Sequence, residues 1–337
     1  MRTGGPSRLM SGKTISASVL VLGGVFVAAL AGGAVWMQSR RAATIPTIAL
    51  IPQTAGAMLW DVEHFGAAVA AEKLKCHLYW NAPTSETDVA GQISLIDKVV
   101  RGKYQGLVLA PNHPLAILTS IKRALVADIP VVIVSGSLDF PASGKLGFIV
   151  NDDEKMGEIA AAEIAKILHG KGNIALAGLA RYAPGVTPRV LGAESFLASR
   201  FPDIHIVSRL GSAYYPSRTE DLTNGALDSH PELNAILSFT AASTRGVHTA
   251  LKNRGLLRTI PIVGCEQDSD LIDYLDKGEI AAILAENTYQ MGYAAIEFVT
   301  ASLAGNPLPA RSVIAPLLIT SQNLKSAEVR LFTGFPR

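Results

Sequence analysis

The chain has 337 residues, of which 49% are hydrophobic, 17% charged and 6% aromatic, enough for a large core or two domains and too apolar for a disordered chain. Two cysteines in this length exclude a disulfide-stapled mini-fold. The formal charge of +2 hides an asymmetry, because Arg2, Arg8, Lys13, Arg40 and Arg41 all precede the first acid, Asp61, and leave 25 Lys+Arg against 28 Asp+Glu in the remainder. A mildly acidic body with no basic run offers no concentrated footprint for phosphates, which excludes nucleic acid as a partner.

The first predicted element is Ile15–Met37, an uncharged run behind Arg2, Arg8 and Lys13, arranged like the n-region and h-region of an export signal. At ~1.5 Å per residue it reaches the ~30 Å of a bilayer core, so it reads either as a cleaved signal peptide or as an N-terminal apolar helix that anchors the chain. Both readings place the body at the outer face of the membrane or beyond it. Gly12-Lys13-Thr14 imitates the end of a phosphate loop, but Ser7 stands where that loop needs glycine.

Apolar runs of strand length follow at Ile48–Ile51, His77–Trp80, Leu107–Ala110, Val131–Val134, Phe148–Val150, Ile174–Ala177, His205–Val207, Ala235–Leu237, Ile262–Val263 and Ile280–Leu284. Most are apolar without alternation, as parallel strands covered on both faces require. Helical stretches lie between them, at Asp61–Lys75, Asp88–Arg101, Leu115–Ala127, Asp153–His169, Pro188–Phe201, Arg218–Ser229, Ser243–Arg254, Ser269–Lys277 and Gln290–Ala304. Asp152-Asp153-Glu154, which open one of them, read as an N-terminal cap.

Strand and helix alternating at this pace give βαβ units, too many for one sheet, and predict two open-sheet lobes with the ligand site in the cleft at the strands' carboxyl ends. The residues at those ends are Gln53–Thr54, Asn81–Pro83, Pro111–Asn112, Ser135–Ser137, Gly178–Leu179, Thr240, Glu266–Gln267 and Glu286. No glycine-rich dinucleotide fingerprint, metalloprotease, Cys-x-x-Cys or Gly-x-Ser-x-Gly motif occurs. Cys76 and Cys265 fall in different predicted lobes; an exported pair admits a disulfide, but separate buried thiols are the reading adopted.

Several segments, in order and spacing, carry a family likeness: Thr47-Ile48-Ala49-Leu50-Ile51, Leu107-Val108-Leu109-Ala110-Pro111, Arg189-Val190-Leu191-Gly192, His230-Pro231-Glu232-Leu233-Asn234, Ile262-Val263-Gly264-Cys265-Glu266 and Glu286-Asn287-Thr288-Tyr289-Gln290-Met291-Gly292. Over residues 45–325 the chain resembles the type I periplasmic solute-binding proteins, in particular the ribose-binding-like, sugar-type branch of ABC importers. The resemblance implies an α/β fold of two Rossmann-like lobes with parallel sheets, joined by a three-crossing hinge near Asn151–Asp153, Glu286–Asn287 and Ala315–Leu317. Residues 1–43 are then signal peptide or anchor plus linker, 44–151 with 287–315 lobe 1, 152–286 with 316–326 lobe 2, and 327–337 a tail.

The same resemblance implies a binding protein and not an enzyme, with no catalytic residue, metal or cofactor. It captures a small uncharged hydroxylated solute, such as a sugar or polyol, by hinge closure and delivers it to importer permease subunits. The alternative is a membrane-anchored sensing module that presents its ligand to a signalling partner. Trp60 matches the family's stacking aromatic, Arg189 its ligand-binding arginine, and Glu266 its acceptor carboxylate; Glu286 stands at a hinge position that usually holds Gln. Ser135 replaces an acidic anchor and Thr240 an Asn, which thins the polar contacts or moves them to Gln53, Asn81 and Glu286.

Overall fold

The computed structural model describes residues 45–333 except Ser137, Arg181, Tyr182 and Pro184. The predicted signal or anchor within 1–43, Ser137 among the strand-end residues and the last four residues of the tail lie outside the described residues. Among the described residues no helix is long and apolar enough to cross a membrane.

Six strands build each of two sheets. The first sheet takes β1 (Thr47–Ile51), β2 (His77–Trp80), β3 (Gly106–Leu109), β4 (Val131–Val134), β5 (Leu146–Asn151) and β11 (Arg311–Ile314), in the order β11-β5-β4-β3-β1-β2 and parallel throughout. The second takes β6 (Gly172–Leu179), β7 (Ile204–Gly211), β8 (Leu233–Ser238), β9 (Ile262–Cys265), β10 (Ala282–Ala285) and β12 (Leu317–Thr320), in the order β12-β10-β9-β8-β6-β7. Among the described strands only β12 runs antiparallel to its neighbour. Strands β4 and β9 therefore occupy the same place in their sheets, as do β5 and β10.

Every apolar run named in the sequence overlaps a strand, and residues such as Leu50, Leu107, Val132, Ile236 and Leu284 are wholly buried. Helices cover both faces of each sheet, so that each lobe has two apolar layers. Lobe 1 carries α1 (Met58–Leu74), α2 (Val89–Arg101) and α3 (Leu118–Val126); lobe 2 carries α4 (Asp153–Ile167), α5 (Val186–Arg200), α6 (Pro216–Ser229), α7 (Ala241–Asn253) and α8 (Ser269–Asp276). The next helix, α9 (Thr288–Leu303), returns to lobe 1 and lies along α1.

The chain leaves the first sheet after β5, returns to lobe 1 after β10, and leaves again between β11 and β12. At the first two crossings one residue caps the departing helix: Asp152 accepts the Lys155 N–H before α4, and Asn287 the Gln290 N–H before α9. The final stretch contains a helix, α10 (Ala327–Thr333), whose Val329 and Phe332 are buried against the Ile319 side of lobe 2.

Glycines set the approach of the helix that starts at each crossing. A Cβ on Gly292 of α9 would lie 2.1 Å from the Glu63 carbonyl oxygen, and one on Gly66 of α1 2.1 Å from that of Tyr289. In lobe 2, Gly157 and Gly192 make the equivalent fit between α4 and α5, with the Arg189 and Glu154 carbonyl oxygens 1.9 and 2.1 Å away. Glu63 and Arg189, each three residues before its helix's glycine, thus hold matching places in the two lobes.

Candidate functional site

The carboxyl ends of the two sheets face each other across a cleft that narrows to a cavity of about 80 Å³. Gln53, Trp60 and Ser135 line it from lobe 1; Arg189, Thr240 and Glu266 line it from lobe 2; Glu286 does so from the second crossing. Seven of the eight residues singled out in the sequence thus meet in one place. Asn81 does not line the cavity: its amide donates to the Tyr79 hydroxyl and its Oδ1 accepts the Ala82 N–H. Ala183 is shared with a wider groove of about 520 Å³ between His113, Pro114 and Leu115 on one side and Asp152, Asp153 and Glu154 on the other.

Arg189 is the organising group. It is buried at 2% exposure, and its Nε donates to Asp153 at 2.8 Å, Nη1 to Glu266 at 2.8 Å and to the Phe239 carbonyl at 2.9 Å, and Nη2 to Glu286. Four of its five N–H groups are therefore engaged within the protein. Its fork thus fixes three carboxylates at the cleft floor, and Arg189 itself also lines the cavity. Asp153 does more than the expected cap: its neighbour Asp152 caps α4, and Asp153 turns to the guanidinium.

Glu266 and Ser135 terminate the corresponding strands β9 and β4 with φ of 68° and 49°. Positive φ in non-glycine residues costs roughly 1–3 kcal/mol and gathers at functional sites. Glu266 is held by Arg189 through Oε1 and by the Ala241 N–H through Oε2 at 3.0 Å. Several other polar anchors are likewise occupied internally. Thr240 caps α7 in a box with Ser243 and donates to the Ala213 carbonyl at 2.6 Å, the Gln53 amide donates to the Pro111 carbonyl, and the Ser135 hydroxyl to the Met291 sulfur.

Two buried polar atoms at the cavity have no partner among the described residues: the Trp60 indole Nε1 and the Glu286 Oε2. Trp60 is both core and wall, being 2% exposed and part of the apolar layer that holds Ile48 and Val108 while also lining the cleft. Behind Glu286 stands Glu63, fully buried with neither carboxylate oxygen bonded. Burial, and secondarily the Glu286 charge, push its carboxyl up to about 8. Burial also raises Glu286, against the pull of Arg189 and with the push of Asp153 and Glu266.

Four polar residues of the cavity wall were missed in the sequence: Glu86, Tyr214, Arg245 and Asp268. Burial, followed by the charge of Glu266, pushes the Glu86 carboxyl up to about 7. Arg245 is bound to Asp268, and to Asp270 at 2.6 Å. Asp268 lies two residues beyond Glu266, inside reach of the strand-end rule; Glu86 and Arg245 sit farther along a loop and a helix, where that rule gives no signal.

Three comparisons bear on this arrangement. The model of a family described as periplasmic binding protein domain matches residues 48–307. The D-ribose/D-allose-binding protein of Pseudomonas aeruginosa is 22% identical over 67% of this chain and 71% of its own length, and the ribose import binding protein RbsB of Escherichia coli is 26% identical over 82% and 91%. A carbohydrate transporter solute-binding protein from Agrobacterium radiobacter, solved in complex with D-arabinose, superposes with a TM-score of 0.79 at 20% identity, covering 87% of this chain and all of that one.

Proposed function

Because this chain belongs to the periplasmic binding protein domain family, we propose that it is an extracytoplasmic solute-binding protein, which captures a sugar, polyol or similar hydroxylated solute between its lobes for an ABC importer. The observation that carries this reading is the meeting of Gln53, Trp60, Ser135, Arg189, Thr240, Glu266 and Glu286 in one cavity between two lobes. Closure is a population shift, in which a solute that bonds both lobes favours the closed form by its differential affinity. Trp60 supplies an apolar ring edge and an indole donor, Glu286 an acceptor, and Arg189 holds the carboxylates in place. Bond-breaking chemistry has no place in this scheme.

Ile15–Met37 serves as the export signal, and the permease subunits of the importer are the partners. Retention of that run would tether the lobes to the outer face of the membrane, a point that N-terminal sequencing of the mature protein decides. The function is tested by titration calorimetry of the purified protein with ribose, allose, arabinose and common polyols. One-to-one binding that Trp60→Phe weakens supports the reading. Absence of binding to any hydroxylated solute contradicts it.

A further inference from the structure

The cavity carries more negative charge than it neutralises. Its walls bear four carboxylates, Glu86, Glu266, Asp268 and Glu286, against two guanidiniums, Arg189 and Arg245. Both guanidiniums are already committed: Arg189 also holds Asp153, and Arg245 also holds Asp270. The excess is divided between the jaws, since Glu86 comes from lobe 1 and Glu266 and Asp268 from lobe 2. Where these acids are ionised, bringing the lobes together without a counterion sets like charges against one another, which opposes closure.

Two unpartnered atoms define what is lacking. Glu286 is 3% exposed and lines the cavity with Oε2 unbonded, asking for a donor; Trp60 is 2% exposed and lines the same cavity with its indole N–H unbonded, asking for an acceptor. A neutral polyol satisfies both atoms but leaves the charge excess in place. We infer that the solute carries a protonated amine on a hydroxylated scaffold, as an amino sugar does, with the amine against Glu286 and a hydroxyl oxygen at the Trp60 indole. This deepens the solute-binding reading and rests on it, and it departs from the uncharged guest that the sequence suggested. The amine then acts as the counterion that permits closure.

The groups facing Glu286 are Arg189 from α5, Asp153 from α4, Glu266 beyond β9 and Glu63 from α1; those facing Glu86 are Glu266, Asp268, Arg245 and Tyr214. Because the carboxyls of Glu286 and Glu86 are raised, an ammonium ion must displace protons to bind, and its affinity rises with pH above about 5.5 for as long as the amine itself stays protonated.

The test is calorimetric titration of the intact protein with D-glucosamine, D-galactosamine and D-mannosamine, each beside its parent hexose, at pH 5.5 and 7.5. At least one amino sugar should bind about tenfold or more tightly than its parent at pH 7.5, the scale of one charge-assisted hydrogen bond, and lose that advantage at pH 5.5. Glu286→Gln should abolish the preference, and the less buried Glu86→Gln should reduce it should the first variant fold poorly. A parent hexose that binds as tightly as its amine, or an amine preference insensitive to pH, overturns the inference and leaves the solute-binding reading standing. Failure of all six to bind overturns the inference, whereas the ribose, allose, arabinose and polyol titrations decide the broader reading separately.

Discussion

A single guanidinium gathers three acids at the floor of the cleft. Arg189 is buried with Asp153, Glu266 and Glu286 around it, and its removal would strand carboxylates that pair with no other cation among the described residues. Arg189→Ala should therefore lower stability by about 3–5 kcal/mol, the range for breaking a buried ion pair by deleting one partner, as well as binding; urea unfolding that leaves stability unchanged would refute this. Glu63 presents the opposite problem, a buried carboxyl without a partner. Its folded value of about 8 exceeds its ordinary 4.5, so the folded state keeps a proton that the unfolded chain releases. Its contribution is harmless below about pH 4.5 and increasingly destabilising as pH rises to about 8. Glu63→Gln should raise the unfolding free energy at pH 8, by on the order of a few kcal/mol at ~1.4 per pKa unit, and change little at pH 4.5. Cys76 and Cys265 are free and buried, and burial pushes the Cys265 thiol up to about 12. A thiol reagent should label neither in the native protein and both after unfolding without reductant; labelling of the native protein would show that burial does not shield them.

At the scale of elements, the close fit of α1 on α9 and of α4 on α5 joins each crossing to its lobe. Gly292→Ala would drive a methyl group into the Glu63 carbonyl oxygen, and overpacking of this kind costs roughly 1–3 kcal/mol. Chemical denaturation should show that loss, and an unchanged midpoint would mean that the helices separate freely. Strands β1 to β10 were legible because uninterrupted apolar runs such as Val131–Val134 have few other uses in a chain of this kind. Strands β11 and β12 were not: Arg311–Ile314 is a partly exposed edge, and β12 begins at the predicted crossing, Ala315–Leu317. In the site, the strand-end rule reached Gln53, Ser135, Thr240, Glu266 and Glu286, whereas Trp60 and Arg189 came from the resemblance. The rule could not reach Glu86 or Arg245, whose place at the cavity comes from the apposition of two lobes and from no local pattern. The engagement of Arg189 with three acids was hidden for the same reason, because Asp153, Glu266 and Glu286 are distant from it in sequence.

At the scale of the whole molecule, the two lobes are near repeats of one strand order, hinged where the chain crosses three times. Like charge held on both jaws disfavours an empty closed state, and a guest that bonds both sides reverses that balance. Small-angle X-ray scattering from the purified protein, recorded without solute and then at saturation with the tightest-binding compound of the titrations, tests this most directly. The account predicts a smaller radius of gyration in the saturated protein, reversed when the solute is dialysed away. Stoichiometric binding with an unchanged scattering curve would contradict it.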